Sequence, residues 1–327
     1  MAKEFKWGII GPGRIAKKFA DTVHALPDTT IHAIASRSSN NLDELRTEMH
    51  AKKVYSSYAE LVEDGDIDAL YIATPHRFHH ENAMLCLESG KPSLVEKAFT
   101  INAREAEELI ATARTNNLFL MEAMWTRFMP ILKDVRSRIE SGKIGDVRLV
   151  SSTLGFTAER EPKDRLLNIE LAGGTVLDLG VYNLAIDQFV YQRPPNSISA
   201  QAYIGETGVD ECTSVIMNYG CGSLSMFTCT FLTTPLSQVE IYGSKGHIIL
   251  HGNFFHPEVA TIVTKAGKET IKRPSKLTGF EYQIEESQRC ISEGKIESSL
   301  MTHQDSLDIM RLMDQIRSQI GVQYPWE

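Results

Sequence analysis

The chain has 327 residues, 42% of them hydrophobic and 23% charged, with a formal net charge of −8. That length suits two domains better than one and allows a sizeable core. The negative balance and the lack of any lysine- or arginine-rich block argue against a nucleic-acid partner. No apolar run approaches the ~20 residues of a membrane helix, which argues against a membrane partner.

Five cysteines, at 86, 212, 221, 229 and 290, are odd in number and lack metal-ligand spacing. The expectation is buried thiols in a reducing compartment and no metal site. The opening Met1-Ala2-Lys3-Glu4-Phe5-Lys6 enters a strand almost at once. That leaves no room for a signal peptide, so a cytoplasmic protein is expected.

The first apolar run, Trp7–Ile10, leads into Gly11-Pro12-Gly13-Arg14-Ile15-Ala16. A strand ending in Gly-x-Gly-x-x-Ala and opening a helix is the dinucleotide-binding turn. Gly11 permits the tight turn, and Gly13 lets the backbone approach a pyrophosphate. Ala16 lets helix and strand pack closely, and the helix start, with Arg14 and Ile15 in its first turn, faces the phosphates. The second run, Ile31–Ala35, ends in Ser36-Arg37-Ser38. NAD-binding versions hold a carboxylate there for the ribose 2′-hydroxyl. Ser36 and Arg37 suit a 2′-phosphate instead, so NADP(H) is expected over NAD(H).

Further runs at Val54-Tyr55, Ala69–Ala73, Ser93–Val95 and Phe119–Ala123 alternate with helical patterns such as Asn102–Thr115. Six strands with crossover helices predict a doubly wound parallel sheet over residues 1–123. A helix over about 131–141 follows, and then the character changes. Strand-like runs at Arg148–Gly155, Ser197–Ile204, Ser214–Tyr219, Ser223–Phe231, Gln238–Tyr242, His247–His251 and Val259–Thr264 predict an open, mainly antiparallel sheet in a second domain, 124–327. A helix over about Thr175–Tyr191 interrupts it, and Ser306–Ile320 reads as a closing amphipathic helix. The fold class is therefore α/β followed by α+β. On Ser223–Phe231, Leu224 and Met226 point one way and Phe227, Cys229 and Phe231 the other. A sheet apolar on both faces needs two covers, and a second copy of the chain is expected to supply one, making a homodimer.

Ligands of an open α/β sheet bind beyond the C-terminal strand ends. The residues there are Thr74, Pro75, His76 and His79 after the fourth strand, Glu96 and Lys97 after the fifth, and Trp125 and Arg127 after the sixth. Thr74, Pro75, His79, Glu96, Lys97 and Arg127 are the cofactor candidates beside the glycine turn. His76 is expected on the substrate side, with Trp125, Phe156, Phe255 and Phe280 as an apolar wall; a core role for those aromatics is the alternative. The spacing of His76, His79 and His80 invites a metal reading, but no Cys or carboxylate nearby in sequence completes a ligand set. Farther on, Asp178 and Tyr182 stand four apart and share a helix face.

Glu96-Lys97 and the run Asp178-x-Gly180-x-Tyr182 resemble the motifs of the glucose–fructose oxidoreductase, inositol dehydrogenase and MocA family. Phe119–Phe128, Glu206–Asp210 and Ile320–Pro325 are similar to its dimeric dihydrodiol dehydrogenase and NADP-dependent D-xylose dehydrogenase group. The resemblance covers essentially the whole chain. It implies hydride transfer between a nicotinamide and a secondary alcohol or carbonyl of a sugar, cyclitol or cyclic trans-dihydrodiol. It also implies that Tyr182 and Lys97 serve the reacting oxygen, with Asp178 positioning Lys97 or a substrate hydroxyl. The family has proline after the lysine, often cis; this chain has Ala98, and a trans bond is expected. The alternative is a regulatory protein that senses NADP without chemistry, but such a protein has no need of Lys97, Asp178 and Tyr182 together.

Overall fold

The apolar runs of the first half build a parallel sheet in a computed structural model that describes residues 4–37 and 42–327. Its strands are β1 (Phe5–Ile10), β2 (Thr29–Ala35), β3 (Lys53–Tyr55), β4 (Ala69–Ile72), β5 (Ser93–Val95) and β6 (Leu120–Glu122), in the order β3-β2-β1-β4-β5-β6. The helices between them are α1 (Arg14–Ala25), α2 (Leu42–Glu48), α3 (Tyr58–Val62), α4 (His79–Glu88) and α5 (Ala103–Thr115). The order reverses between β1 and β4, so a switch point lies beyond their C-terminal ends. Trp7, Phe19 and Tyr71 fill the core there: Phe19 stacks on Tyr71 at 3.8 Å and meets Trp7 edge-on at 5.2 Å.

The second half forms a sheet in the order β14-β13-β12-β11-β7-β10-β9-β8. The strands are β7 (Val147–Gly155), β8 (Ser197–Ile204), β9 (Asp210–Gly220), β10 (Ser223–Thr230), β11 (Gln238–Gly243), β12 (Gly246–Leu250), β13 (Val259–Thr264) and β14 (Gly267–Lys272). Only β7 and β10 pair in parallel. The inner face is apolar, with Val150, Phe227, Val239, Ile241, Ile248 and Ile262 buried. Across it runs Val176–Gly180, wound as a π-helix, continuing into α7 (Val181–Tyr191). The remaining helices are α6 (Pro130–Glu140), α8 (Glu281–Ser292) and α9 (His303–Ile320).

By contacts the chain divides into Met1–Ala123 with Lys276–Leu307, and Met124–Ser275 with Asp308–Glu327. The stretch carrying α8 thus groups with the parallel sheet, whereas the sequence reading ran the second domain from 124 to 327 and offered only the helix over about 306–320 as packing back on the first; residues 308–327 group with the second unit. The reason is local to the first unit: α8 packs on α1, and Gln288 donates to the Thr29 hydroxyl at 2.7 Å.

Two sequence expectations need correction. Ile169–Tyr191 is, by length and composition, apolar enough to cross a membrane, but 83% of its most apolar window is buried inside the protein, as in a core helix. Of the five thiols, Cys86, Cys229 and Cys290 are buried, while Cys221 is exposed and Cys212 half-buried. Cys221 sits at the β9–β10 turn.

Candidate active site

In the first unit the glycine turn has the geometry its sequence calls for. Gly11 adopts φ +80°, and a Cβ there would lie 2.9 Å from the Thr74 backbone nitrogen. That close approach of β1's exit to β4's exit requires glycine. Gly13 caps α1 with no side chain satisfying the first N–H groups, and no acidic residue occupies the first turn. Gly13, Arg14 and Ile15 are exposed around that helix start. Open N–H groups at a helix dipole's positive end, free of a competing carboxylate, fit the pyrophosphate of a dinucleotide.

Ser36 is buried at the end of β2, its N–H donating to the Tyr55 carbonyl at 3.2 Å. Arg37 stays exposed, its guanidinium 4.7 Å above the Tyr58 ring and 3.7 Å from Glu81. Ser38 lies outside the described residues.

Beyond β4, Thr74 and Pro75 lead into a short 3-10 turn (His76–Phe78) that runs directly into α4. His79 is the hub of this corner: its Nε2 meets the Thr74 carbonyl and its Nδ1 the Ala98 carbonyl, each at 2.8 Å. Burial pushes its pKa down to about 4, against the pull of those carbonyls. At neutral pH the ring therefore holds one N–H, which donates to only one of the two carbonyls at a time. His76 is also buried, its ring edge-on to His79 at 5.6 Å.

Glu96 is buried and accepts a short hydrogen bond from the Tyr71 hydroxyl. Lys97, half-buried, donates its backbone N–H to Glu96 Oε2 at 3.3 Å. The Lys97–Ala98 bond is cis, not trans as expected. The flanking groups are fixed on both sides: the Ala98 carbonyl by His79, and the Phe99 N–H by Glu122 Oε1 at 3.2 Å. Glu122 lies in the run at the end of the sixth strand, but the sequence reading gave it no role. It is buried at the end of β6, and desolvation pushes its pKa up to about 7.

In the second unit, Asp178 sits in the π-helical turn and Tyr182 in the first turn of α7, both buried. π-helical insertions often mark functional positions. Asp178 Oδ1 accepts from the Arg165 guanidinium at 3.0 Å. The Tyr182 oxygen accepts the Trp125 indole N–H at 3.1 Å. Phe255 meets Trp125 at 5.9 Å and Tyr182 at 5.5 Å, so the three rings form one cluster. Phe156 instead packs on Phe231 at 5.4 Å and is partly exposed.

Phe280, the remaining aromatic candidate, is placed within its own unit. It belongs to the first unit, is almost fully buried, and has the Lys18 ammonium 4.6 Å above its ring. Arg127 belongs to the second unit and braces α7, through the Ala185 carbonyl at 3.4 Å and Gln188 Oε1 at 3.3 Å. The glycine turn belongs to the first.

The start of the π turn is held by groups the sequence motifs contained but did not explain. Asp210 Oδ2 accepts from the Val176 N–H at 2.8 Å, from the Thr175 hydroxyl at 2.5 Å and from the Thr213 hydroxyl at 2.8 Å. Gly174, at φ +120°, has no room for a Cβ against that carboxylate. Tyr324 donates its hydroxyl to the Gly173 carbonyl at 3.0 Å.

Among the described residues, His32, Asp64 and Asp66 cluster in a way that has metal-ligand types. Lys53 lies 2.9 Å from Asp64 and Lys6 3.2 Å from Asp66, so ammonium groups already match the two carboxylates.

A doubly wound sheet with an open glycine turn, followed by a separate open sheet carrying a buried tyrosine and aspartate, defines a two-unit nicotinamide-dinucleotide oxidoreductase. Residues 5–124 match the oxidoreductase family described as NAD-binding Rossmann fold, and residues 132–249 match the GFO/IDH/MocA C-terminal domain. The chain belongs to the GFO/IDH/MocA oxidoreductase family.

It is 34% identical over 329 residues to a trans-1,2-dihydrobenzene-1,2-diol dehydrogenase of Xenopus tropicalis, covering 98% of this chain and 99% of that one. It is also 34% identical to a D-xylose 1-dehydrogenase (NADP(+)) of Hypocrea jecorina, covering 98% and 93%. Among solved structures, a 3-ketoreductase from Actinomadura kijaniata, in complex with NADP and TDP-benzene, superposes with a TM-score of 0.88 at 23% identity over 97% and 98% of the two chains. That likeness speaks for the fold.

Proposed function

We propose that the protein is an NADP-dependent oxidoreductase interconverting a secondary alcohol and its carbonyl in a sugar, cyclitol or cyclic trans-dihydrodiol. The observation that carries this reading is the retention, on a fold matched end to end by dihydrodiol and xylose dehydrogenases, of both a lysine at the β5 exit and a buried tyrosine on α7. A regulator that only sensed the dinucleotide would need neither.

The glycine turn and the α1 start hold the pyrophosphate; Ser36 and Arg37 hold the 2′-phosphate. The bound nicotinamide supplies or accepts the hydride. During oxidation Tyr182 takes the hydroxyl proton, and during reduction it returns a proton to the carbonyl oxygen. Lys97 polarises that oxygen and favours the ionised phenol, since a nearby cation stabilises an anion. Asp178, paired with Arg165, orients Lys97 or a neighbouring substrate hydroxyl. Two copies pair through the outer face of the antiparallel sheet, in the cytoplasm.

The test is a screen of pentoses, polyols and cyclic trans-diols with NADP⁺, beside matching carbonyls with NADPH. Tyr182→Phe and Lys97→Met are each expected to lose about 10²–10⁴ in turnover while binding NADPH normally. Turnover near wild type in either variant removes the role assigned to that residue.

A further inference from the structure

Trp125 and Tyr182 come from separate elements of the second unit, a 3-10 turn (Trp125–Phe128) and α7, and meet through one directed contact. The indole Nε1 lies 3.1 Å from the phenol oxygen, and the residues are 6% and 7% exposed. The indole has little freedom to leave. The His256 ring lies flat against it, at 4.9 Å and 14°. Thr126, next in the chain, donates its hydroxyl to the Phe255 carbonyl at 2.6 Å, and Phe255 leans on both rings.

An indole nitrogen can only donate, so the phenol oxygen accepts from it whatever its own protonation state. Such a bond strengthens when its acceptor becomes an anion. Resting on the reading of Tyr182 as the proton-transfer group, we propose that Trp125 is a positioning residue that fixes the phenol and favours its ionised form, setting the pH range over which the enzyme oxidises alcohols. A mere wall for a substrate ring would not need the N–H.

Other charged or titratable groups of this unit stand near the pair. Asp178, four residues before Tyr182, opposes a phenolate and is matched by Arg165. His256, stacked on the indole, has its Nε2 2.7 Å from Ser275 Oγ and 3.6 Å from Glu258. Arg127, on the same turn as Trp125, points its guanidinium to the Ala185 carbonyl and Gln188.

The experiment is the pH dependence of kcat for NADP⁺-linked oxidation in wild type, Trp125→Phe, Phe255→Leu and Tyr182→Phe. Losing one hydrogen bond to an anion is expected to move the Trp125→Phe profile to higher pH by about one unit. Turnover would then fall about tenfold at pH 7 and recover toward wild type in alkali. Phe255→Leu, which disturbs the packing but keeps the donor, is expected to lower turnover evenly with no change of midpoint. A Trp125→Phe profile with the wild-type midpoint overturns the proposal. If Tyr182→Phe is inactive at the same time, only the role of Trp125 falls; if Tyr182→Phe turns over normally, the assignment of Tyr182 falls with it.

A second measurement leaves Trp125 intact. The chain has three tryptophans, so indole ¹⁵N–¹H signals are readily assigned. The Trp125 signal is expected to move with the phenol's titration in wild type and to stay still in Tyr182→Phe. A Trp125 signal that ignores pH in wild type overturns the proposal without any variant at that position.

Discussion

Arg37 is held by ring faces more than by charge. Its guanidinium lies 4.7 Å over Tyr58 and 5.6 Å from the Phe78 ring centre, while Glu81 is 3.7 Å away with both partners half exposed. Exposed pairs of that kind contribute little, so the guanidinium remains available to a phosphate. Arg37→Ala is expected to reduce the preference for NADP over NAD about ten- to a hundredfold, read as the ratio of kcat/KM for the two cofactors. An unchanged ratio would return Arg37 to the role of a solvated surface residue. At this scale the sequence was informative wherever a role depends on neighbours in the chain. Gly11, Gly13 and the carboxylate-free end of β2 could be read directly. Arg165, 13 residues before the Asp178 it pairs with, and Glu122, 23 residues beyond the Phe99 N–H it accepts, could not, because folding alone brings those partners together.

Along α7 the buried face carries a second acid with a different fate. Asp187 is 1% exposed, and Ser225 on β10 donates to its Oδ2 at 2.7 Å, while Oδ1 has no hydrogen-bond partner. Burial pushes its pKa up to about 8. A carboxyl raised in the folded state contributes stability that is fully present below its unfolded pKa near ~4. That stability is lost as the pH rises toward 8, with a limiting slope of about 1.4 kcal/mol per pH unit. Asp187→Asn is expected to flatten the fall between pH 5 and 8 and to leave the variant more stable than wild type at pH 8. Denaturant unfolding at several pH values checks this, and parallel wild-type and variant curves would count against it.

The elements missed in the sequence have a common cause. β14 reads Gly-Lys-Glu-Thr-Ile-Lys and buries only Ile271, as an edge strand does, so no apolar alternation announces it. The buried side of α8 includes Glu281, Gln283 and Ser287, polar residues that leave the helical apolar stripe too sparse to see. The π winding of Val176–Gly180 is likewise set by Asp210 and Gly174 from outside the segment.

For the molecule as a whole, the change of character near residue 124 was legible because crossover helices give way to successive strands. The return of Lys276–Leu307 to the first unit was not, since its contacts rest on α8. The outer face of the antiparallel sheet is the larger question. Leu224 and Met226 on β10 and Ile216 on β9 are exposed there, with Met226 directly opposite Ile216. Contiguous apolar side chains on a sheet face favour association. Sedimentation is expected to give twice the chain mass for wild type. Met226→Lys with Ile216→Glu, a cross-strand pair that suits the sheet but not an apolar interface, is expected to give a folded monomer. A wild type that sediments as a single chain overturns the homodimer.

The Tyr324 hydroxyl on the Gly173 carbonyl bears on how the protein is handled at the bench. Arg317 grips the Glu327 carboxylate through both of its terminal nitrogens, at 2.8 and 2.9 Å, and its guanidinium covers the Tyr324 ring at 4.7 Å. Loss of the segment that carries Tyr324 would release the peptide that precedes the turn bearing Asp178. A preparation nicked near residue 324 should therefore be judged by its kinetics before its purity.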